Sequence, residues 1–246
     1  MKPIRKLVLP VAGLGVRMRP LTLRTPKALV PLRGVPMIEY VLEEARETGI
    51  REVVLIVNPR HREHFRKYLK AARVKFPEFV FHVRVQKAPL GNGHAILQAL
   101  DLLRGEPFAV RFCDDLIVGG EPVLSSLLAL YAAYRAPVLL LERVPKTKVS
   151  RYGVVGVERQ KKRREETLPR GNLFRLTEIV EKPRMSKAPS NLIIIGGYVL
   201  TPDILENLKR IADSLPHPGP DALPLAVALQ VEFIVGGKVL GWEFTG

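Results

Sequence analysis

The sequence predicts a three-layer α/β protein built on a mostly parallel central sheet. Before residue 115, short β-rich runs alternate with amphipathic helical stretches, the pattern that covers both faces of a parallel sheet with helices. Glycines or carboxylates follow the expected strand ends, where open α/β sheets bind ligands. The 246 residues, 47% of them hydrophobic, supply enough apolar side chain for a substantial core. With no internal repeat and no separating linker, the chain reads as a single domain, 1–246, with one half at about 1–135 and the other at about 136–246.

The elements of the first half follow in order. Lys6 to Val11 (KLVLPV) reads as a buried strand. Pro36 to Thr48 reads as a helix that opens on proline, carries Ile38, Val41, Leu42 and Ala45 on one face, and stops at Gly49. A strand at Arg51 to Val57, a helix at about His61 to Ala72 and a strand at Val80 to Val85 come next. A helix at about Gly93 to Leu103 and a strand at Pro107 to Phe112 lead directly into Asp114 and Asp115.

After a helix near Pro122 to Tyr134 and a strand at Pro137 to Glu142, shorter β segments dominate: Gly153 to Glu158, Leu173 to Val180 and Asn191 to Leu200. A helix from Pro202 to about Ile211, a Pro-rich loop (216–220), a short helix from Asp221 to Leu229 and a strand pair near Glu232 to Phe244 complete the reading.

Charge narrows the function classes. Lys and Arg number 39 against 24 Asp and Glu, a net charge of +15 that draws anions such as nucleotides, sugar phosphates or nucleic acid. Much of the excess lies in Arg159 to Arg164 (RQKKRR), which reads as a solvated loop between strands, with a polyanion-binding patch as the alternative. No nucleic-acid-binding module or aromatic-studded basic strand is evident, so no nucleic-acid partner is expected. Without an apolar run of about 18 residues or a signal-like N-terminus, the expectation is a cytoplasmic protein without a membrane partner. The single Cys113 can form neither an internal disulfide nor a Cys-based zinc site, and reads as a small buried residue.

The loop after the first strand, Ala12 to Lys27, carries the most chemistry. Gly13 and Gly15 allow close backbone approach to a phosphate, and Arg17, Arg19, Arg24 and Lys27 can neutralise a polyphosphate. Met18 and Pro20 are incompatible with a dinucleotide fingerprint, and Gly-Lys-Ser/Thr of a Walker A loop is absent. His61 and His64 lack an evident third ligand for a metal, and His94 reads as a structural residue at a helix start.

This loop resembles the G-x-G-x-R…P-K motif of the sugar-phosphate nucleotidyltransferases, and further segments similar to that family follow in its order over about residues 4–200. They are Gln86 to Ala95 (QKAPLGNGHA), Phe112 to Asp115, Tyr152 to Val155, Val180 to Pro183 and Ala188 to Leu192. The pattern is most similar to the bacterial UTP–glucose-1-phosphate uridylyltransferases. The resemblance implies a Rossmann-like nucleotide-diphospho-sugar transferase fold, with a nucleotide-binding first half and a smaller, β-rich, sugar-binding second half. It also implies nucleotidyl transfer from a nucleoside triphosphate, UTP above all, to a sugar 1-phosphate such as glucose 1-phosphate.

By the same resemblance Arg17 and Lys27 hold the triphosphate, and Ala12, Gly13, Gly15, Gln86 and Gly91 meet the nucleotide. Lys182 binds the sugar phosphate, Glu181 accepts sugar hydroxyls, Gly153 and Asn191 complete the sugar side, and Asp114 holds Mg²⁺. Three departures stand out: Ala28-Leu29 replaces the usual Glu-Met, Phe244 stands where relatives carry a second metal-binding aspartate, and the sequence stops at Gly246 without the helical tail often used in a dimer contact. A homo-oligomer therefore stays an open expectation. The alternative reading is a catalytically degenerate nucleotide or nucleotide-sugar binder.

Overall fold

A computed structural model describes residues 3–117, 119, 122–160, 168–216, 219, 221–234 and 237–244. The basic stretch 161–164, Glu165 and Glu166, and part of the Pro-rich loop lie outside these residues. The first half runs β1 (Lys6–Pro10), a two-strand hairpin β2 (Pro31–Leu32) and β3 (Val35–Pro36), α1 (Met37–Arg46), β4 (Glu52–Val57), α2 (Arg62–Lys75) and β5 (Val80–Val85). It continues with α3 (Asn92–Leu97), α4 (Leu100–Leu103), β6 (Phe108–Arg111) and α5 (Val123–Tyr134). The second half is β7 (Val138–Arg143), β8 (Gly153–Arg159), β9 (Asn172–Glu181), β10 (Leu192–Leu200), α6 (Pro202–Ser214), α7 (Leu225–Ile234) and β11 (Leu240–Glu243).

Nine strands form one sheet in the order β5-β4-β1-β6-β10-β7-β11-β9-β8. The pairings β5–β4–β1–β6 and β7–β11 are parallel, and only β9 and β10 run against the other seven strands. Strand alternation explains the layers. Leu7 and Leu9 of β1, with Val53, Leu55 and Val57 of β4, face the side where α1, α2 and α5 pack; Val8, Val54 and Ile56 face α3, α4, α6 and α7. On α1, Ile38, Val41, Leu42 and Ala45 are fully buried, each large aliphatic contributing about 1.5–3 kcal/mol.

Three expected elements differ from the structure. The helix at 93–103 is broken at Gln98–Ala99, where bonds tighten to the i,i+3 pattern (Gln98 N to Ala95 O, 3.1 Å; Ala99 N to Ile96 O, 3.0 Å). The strand pair near 232–244 is replaced, among the described residues, by the end of α7 and the one strand β11. The short helix expected at 221–229 begins only after Pro224, because residues 221–223 dock on the chain near residue 90: Asp221 N donates to Pro89 O and Leu223 N to Leu90 O (2.7 Å). Asn92 Oδ1 then accepts from Leu225 N at 2.8 Å, satisfying a donor that the first turn of α7 leaves without an intrahelical partner.

Candidate active site

Because β1, β4, β5 and β6 are parallel, their carboxyl ends open on one edge of the sheet. The segments leaving them supply Ala12 and Gly13, Asn58 and Arg60, Gln86, and Asp114 to one cleft of about 510 Å³. Gly13, Gln86 and Asp114 therefore share a crevice, as their places at the carboxyl ends of parallel strands predict. Gln86 is buried; its side-chain amide donates to Gly91 O at 3.0 Å and lies 3.1 Å from His94 Nδ1. His94 thus braces Gln86, consistent with a structural role. Gly91 has φ +109°, and a Cβ there would lie 2.7 Å from Leu223 O, so the turn and the docked segment both require glycine.

The glycine loop bends into a second recess of about 280 Å³ lined by Gly13, Gly15, Arg17, Lys27, Cys113 and Asp114 among others. Thr22, buried beneath the loop, donates from Oγ1 to Gly15 O at 2.7 Å and fixes its shape. The four loop cations divide: Arg17 and Lys27 line this recess, whereas Arg19 and Arg24 line a different cavity. Spacing along the loop gives no sign of that division.

Asp114 follows β6, half-exposed and ion-paired with Lys27. Asp115 turns inward, its Oδ2 accepting from Gly196 N at 2.7 Å. Burial, and then the Asp114 charge, pushes the Asp115 carboxyl above its ordinary pKa, against the opposing pull of the Gly196 N–H, Arg111 and Lys27. Behind both aspartates lies Arg111, 2% exposed, which donates to Gly196 O (2.9 Å) and Asp115 O (3.3 Å) and pairs with Glu44 of α1 (3.3 Å). Glu44 also accepts from Leu124 N at the start of α5. Arg111 and Glu44 escaped sequence reasoning; the only signal was one charge in the strand FAVR. Cys113 is buried and its thiol is pushed up to about 12, which removes it as a nucleophile.

Among the described residues no group of three His, Cys, Asp or Glu could hold a metal, and one Asp115 oxygen is committed to Gly196. Asp114 alone fits an octahedral ion that takes its remaining ligands from phosphate oxygens and water.

The sugar-side motifs enclose an adjoining cleft of about 330 Å³ lined by Gly153, Glu181 and Lys182, with Arg151, Tyr152 and Asp221. Gly153 pairs with Glu181 across β8 and β9. Lys182 has φ +46°, uncommon for a side chain with a Cβ, and its N–H bonds Tyr152 O at 3.0 Å, which fixes the turn after β9. Its ammonium lies 3.7 Å from Glu181 Oε1, both half-exposed. Asn191 is not brought into this lining: its amide joins Arg143 Nη1 (2.7 Å) to Val144 O (3.1 Å). Arg151 and Asp221 are cleft residues that the motifs did not single out.

Phe244, at the place of the expected second aspartate, lines a further cavity with Asp114, Asp115 and Glu142. Its neighbour Glu243 is buried, which raises its pKa, but hydrogen bonds from Arg143 (2.7 Å) and Asn172 (2.8 Å) outweigh that and hold it below the usual range. The last strand therefore does deliver residue 244 to the carboxylate end of the site.

Residues 6–242 match the family described as "Nucleotidyl transferase". The chain is 35% identical to the UTP–glucose-1-phosphate uridylyltransferase of Pseudomonas aeruginosa, over 99% of this chain and 89% of that protein. It is 34% identical to the enzyme of that name from Bacillus subtilis, over 85% and 74%. Its structure is similar to that of a UDP-glucose pyrophosphorylase in complex with UDP-glucose (TM-score 0.83, 32% identity, 99% of this chain and 91% of that one). It is also similar to the UTP-bound UGPase of Acinetobacter baumannii (TM-score 0.78, 30% identity, 99% and 87%). The family match takes in both clefts.

Proposed function

The chain belongs to the nucleotidyl transferase family, and from that premise we propose that it transfers the uridylyl group of UTP to glucose 1-phosphate, giving UDP-glucose and pyrophosphate. The observation that carries this reading is the wall common to the two clefts: Gly91, Asn92, Phe112 and Asp221 line both, so a nucleotide in one lies beside a sugar phosphate in the other.

In the reaction a phosphate oxygen of glucose 1-phosphate attacks the α-phosphorus, the bond to the bridging oxygen breaks, and pyrophosphate leaves with that electron pair. The attacking phosphate is already ionised near neutral pH, so no general base is required. Rate enhancement comes from positioning and charge neutralisation. Arg17 and Lys27 hold the triphosphate, the backbone at Gly13 and Gly15 admits it closely, and Gln86 and Gly91 meet the uracil. Lys182 holds the acceptor phosphate in line, with Glu181 on the sugar hydroxyls and Gly153 leaving room for the ring. Asp114 would hold Mg²⁺, which supplies charge relief on the phosphate oxygens when bound.

A second reading has one observation in its favour. Phe244 presents a ring, not a carboxylate, to the cavity it shares with Asp114, which suits a binder with weakened chemistry. Both readings meet one test: purified protein with Mg²⁺, each nucleoside triphosphate and a set of sugar 1-phosphates, followed by pyrophosphate release. UTP with glucose 1-phosphate is expected to give the fastest release. Tight UTP binding with no release from any pair would decide for the binder.

A further inference from the structure

The two arginines that leave the phosphate recess do not point to empty surface. Arg19 and Arg24 join Arg60, His61 and His64 around a separate cavity of about 460 Å³. Arg60 and Leu14 line both this cavity and the nucleotide cleft, and so form the partition between them. Among the described residues no acidic side chain lines the cavity, and no ion pair joins Arg19, Arg24 or Arg60 to a carboxylate. His61 lines the cavity, and its buried Nδ1 has no hydrogen-bond partner. Burial lowers the His61 pKa, and the neighbouring charges of His64 and Arg60 lower it further.

Guanidinium groups recognise phosphate through paired N–H donors, and several cations converging on one recess raise the local concentration of multivalent anions. We propose that this cavity is a second anion site, separate from the nucleotide cleft, that takes a small phosphate-bearing dianion. Arg19, Arg24 and Arg60 supply the charge, and the imidazoles of His61 and His64 supply further donors. Thr22 lines the cavity and also bonds Gly15 O, so the bound anion sits one side chain away from the phosphate-binding loop.

The site is independent of the uridylyl-transfer reading, and its test reads binding alone. Inorganic phosphate is titrated at constant ionic strength into the Arg17→Ala/Lys27→Ala protein, in which the cations of the nucleotide recess are gone. The imidazole resonances of His61 and His64 and the heat of binding are followed. The expected result is saturable perturbation of both rings, and affinity at least about tenfold weaker when Arg24→Gln and His64→Gln are added. Arg24 and His64 are exposed, so folding should survive; the single Arg24→Glu protein serves as a second variant with the same expected loss. Phosphate binding that disappears with Arg17 and Lys27 and is indifferent to Arg24 and His64, or rings that do not respond, would overturn the proposal.

Discussion

The ammonium of Lys27 is ion-paired with the carboxylate of Asp114, joining the end of the glycine loop to the end of β6 across 87 residues of sequence. Each group is the other's counter-charge until substrate arrives, and each is proposed to face the triphosphate afterwards. Both are partly exposed, so the pair itself contributes at most about 1 kcal/mol to folding.

Their functional effects should be much larger than their structural ones. Asp114→Asn keeps size and hydrogen bonding while removing the charge that attracts Mg²⁺, so the transfer rate should fall about 10²-fold or more with little change in melting temperature. Asp115→Asn should cost far less, because Asp115 turns away to Gly196 and an amide oxygen can still accept from Gly196 N. Parallel rate measurements on the two variants test this, and the reverse ranking would refute the assignment of the metal to Asp114.

Lys182 and Arg17 line different clefts, which separates their expected defects. Lys182→Ala should raise KM for glucose 1-phosphate and leave UTP affinity within about twofold, since it removes one charge-assisted contact to the acceptor alone. Arg17→Ala should weaken UTP. Equal loss of UTP affinity in both proteins, measured calorimetrically, would dissolve the division.

The sheet's first half was legible because its signals are local. The continuous apolar run of β1 and the Ile38, Val41, Leu42, Ala45 stripe of α1 are each contained within a few residues of sequence and match the buried positions. The C-terminal region was not, because α7 (LAVALQVEFI) is apolar nearly all round, and such a run shows neither a helical nor a strand period. The clefts were legible wherever motif residues lie at strand ends. The Arg111–Glu44 pair was hidden because its partners are 67 residues apart, and the division of Arg17 and Lys27 from Arg19 and Arg24 depends on loop conformation.

That hidden pair should govern stability. Arg111→Met would leave the mostly buried Glu44 without its cation, and would remove the guanidinium bonds to the carbonyls of Asp115 and Gly196, the latter keeping only its bond from Phe112 N. The expected cost is about 3–5 kcal/mol, read as a lowered urea midpoint with unchanged slope. Gly196→Ala should also destabilise, by about 1–3 kcal/mol, because its Cβ would come within 2.4 Å of Phe112 Cβ.

Stability should also fall in mild acid through His94. Burial holds its folded pKa below the ordinary histidine value, opposed only by a hydrogen bond to the Ala88 backbone. As pH drops, the unfolded chain takes up the proton first; this contribution is therefore constant above about pH 7.5 and is lost as pH falls through the unfolded value near 6.5 toward the lower folded one. His61 shifts in the same direction. Urea midpoints between about pH 7.5 and 5.5 should decline less steeply in His94→Asn than in the parent. An identical decline would remove His94 from the account.

The final prediction concerns Phe244, which stands beside Asp114 and Asp115 in one cavity and is only partly buried. Its backbone N–H bonds Leu141 O at 3.2 Å and its ring meets Trp242 edge-on at 5.9 Å, so residue 244 is positioned by the strand rather than by its own side chain. Phe244→Asp should therefore put a second carboxylate near the first without moving the backbone, at a stability cost of about 1–3 kcal/mol for the lost apolar contacts. With two carboxylates, Mg²⁺ would depend less on substrate phosphates for its ligands, so the variant should bind the metal more tightly without nucleotide and transfer uridylyl faster at limiting Mg²⁺. Calorimetric titration of Mg²⁺ and the metal dependence of pyrophosphate release read the two effects separately. If neither changes while the protein stays folded, residue 244 does not reach the metal, and the single-carboxylate arrangement at Asp114 is sufficient.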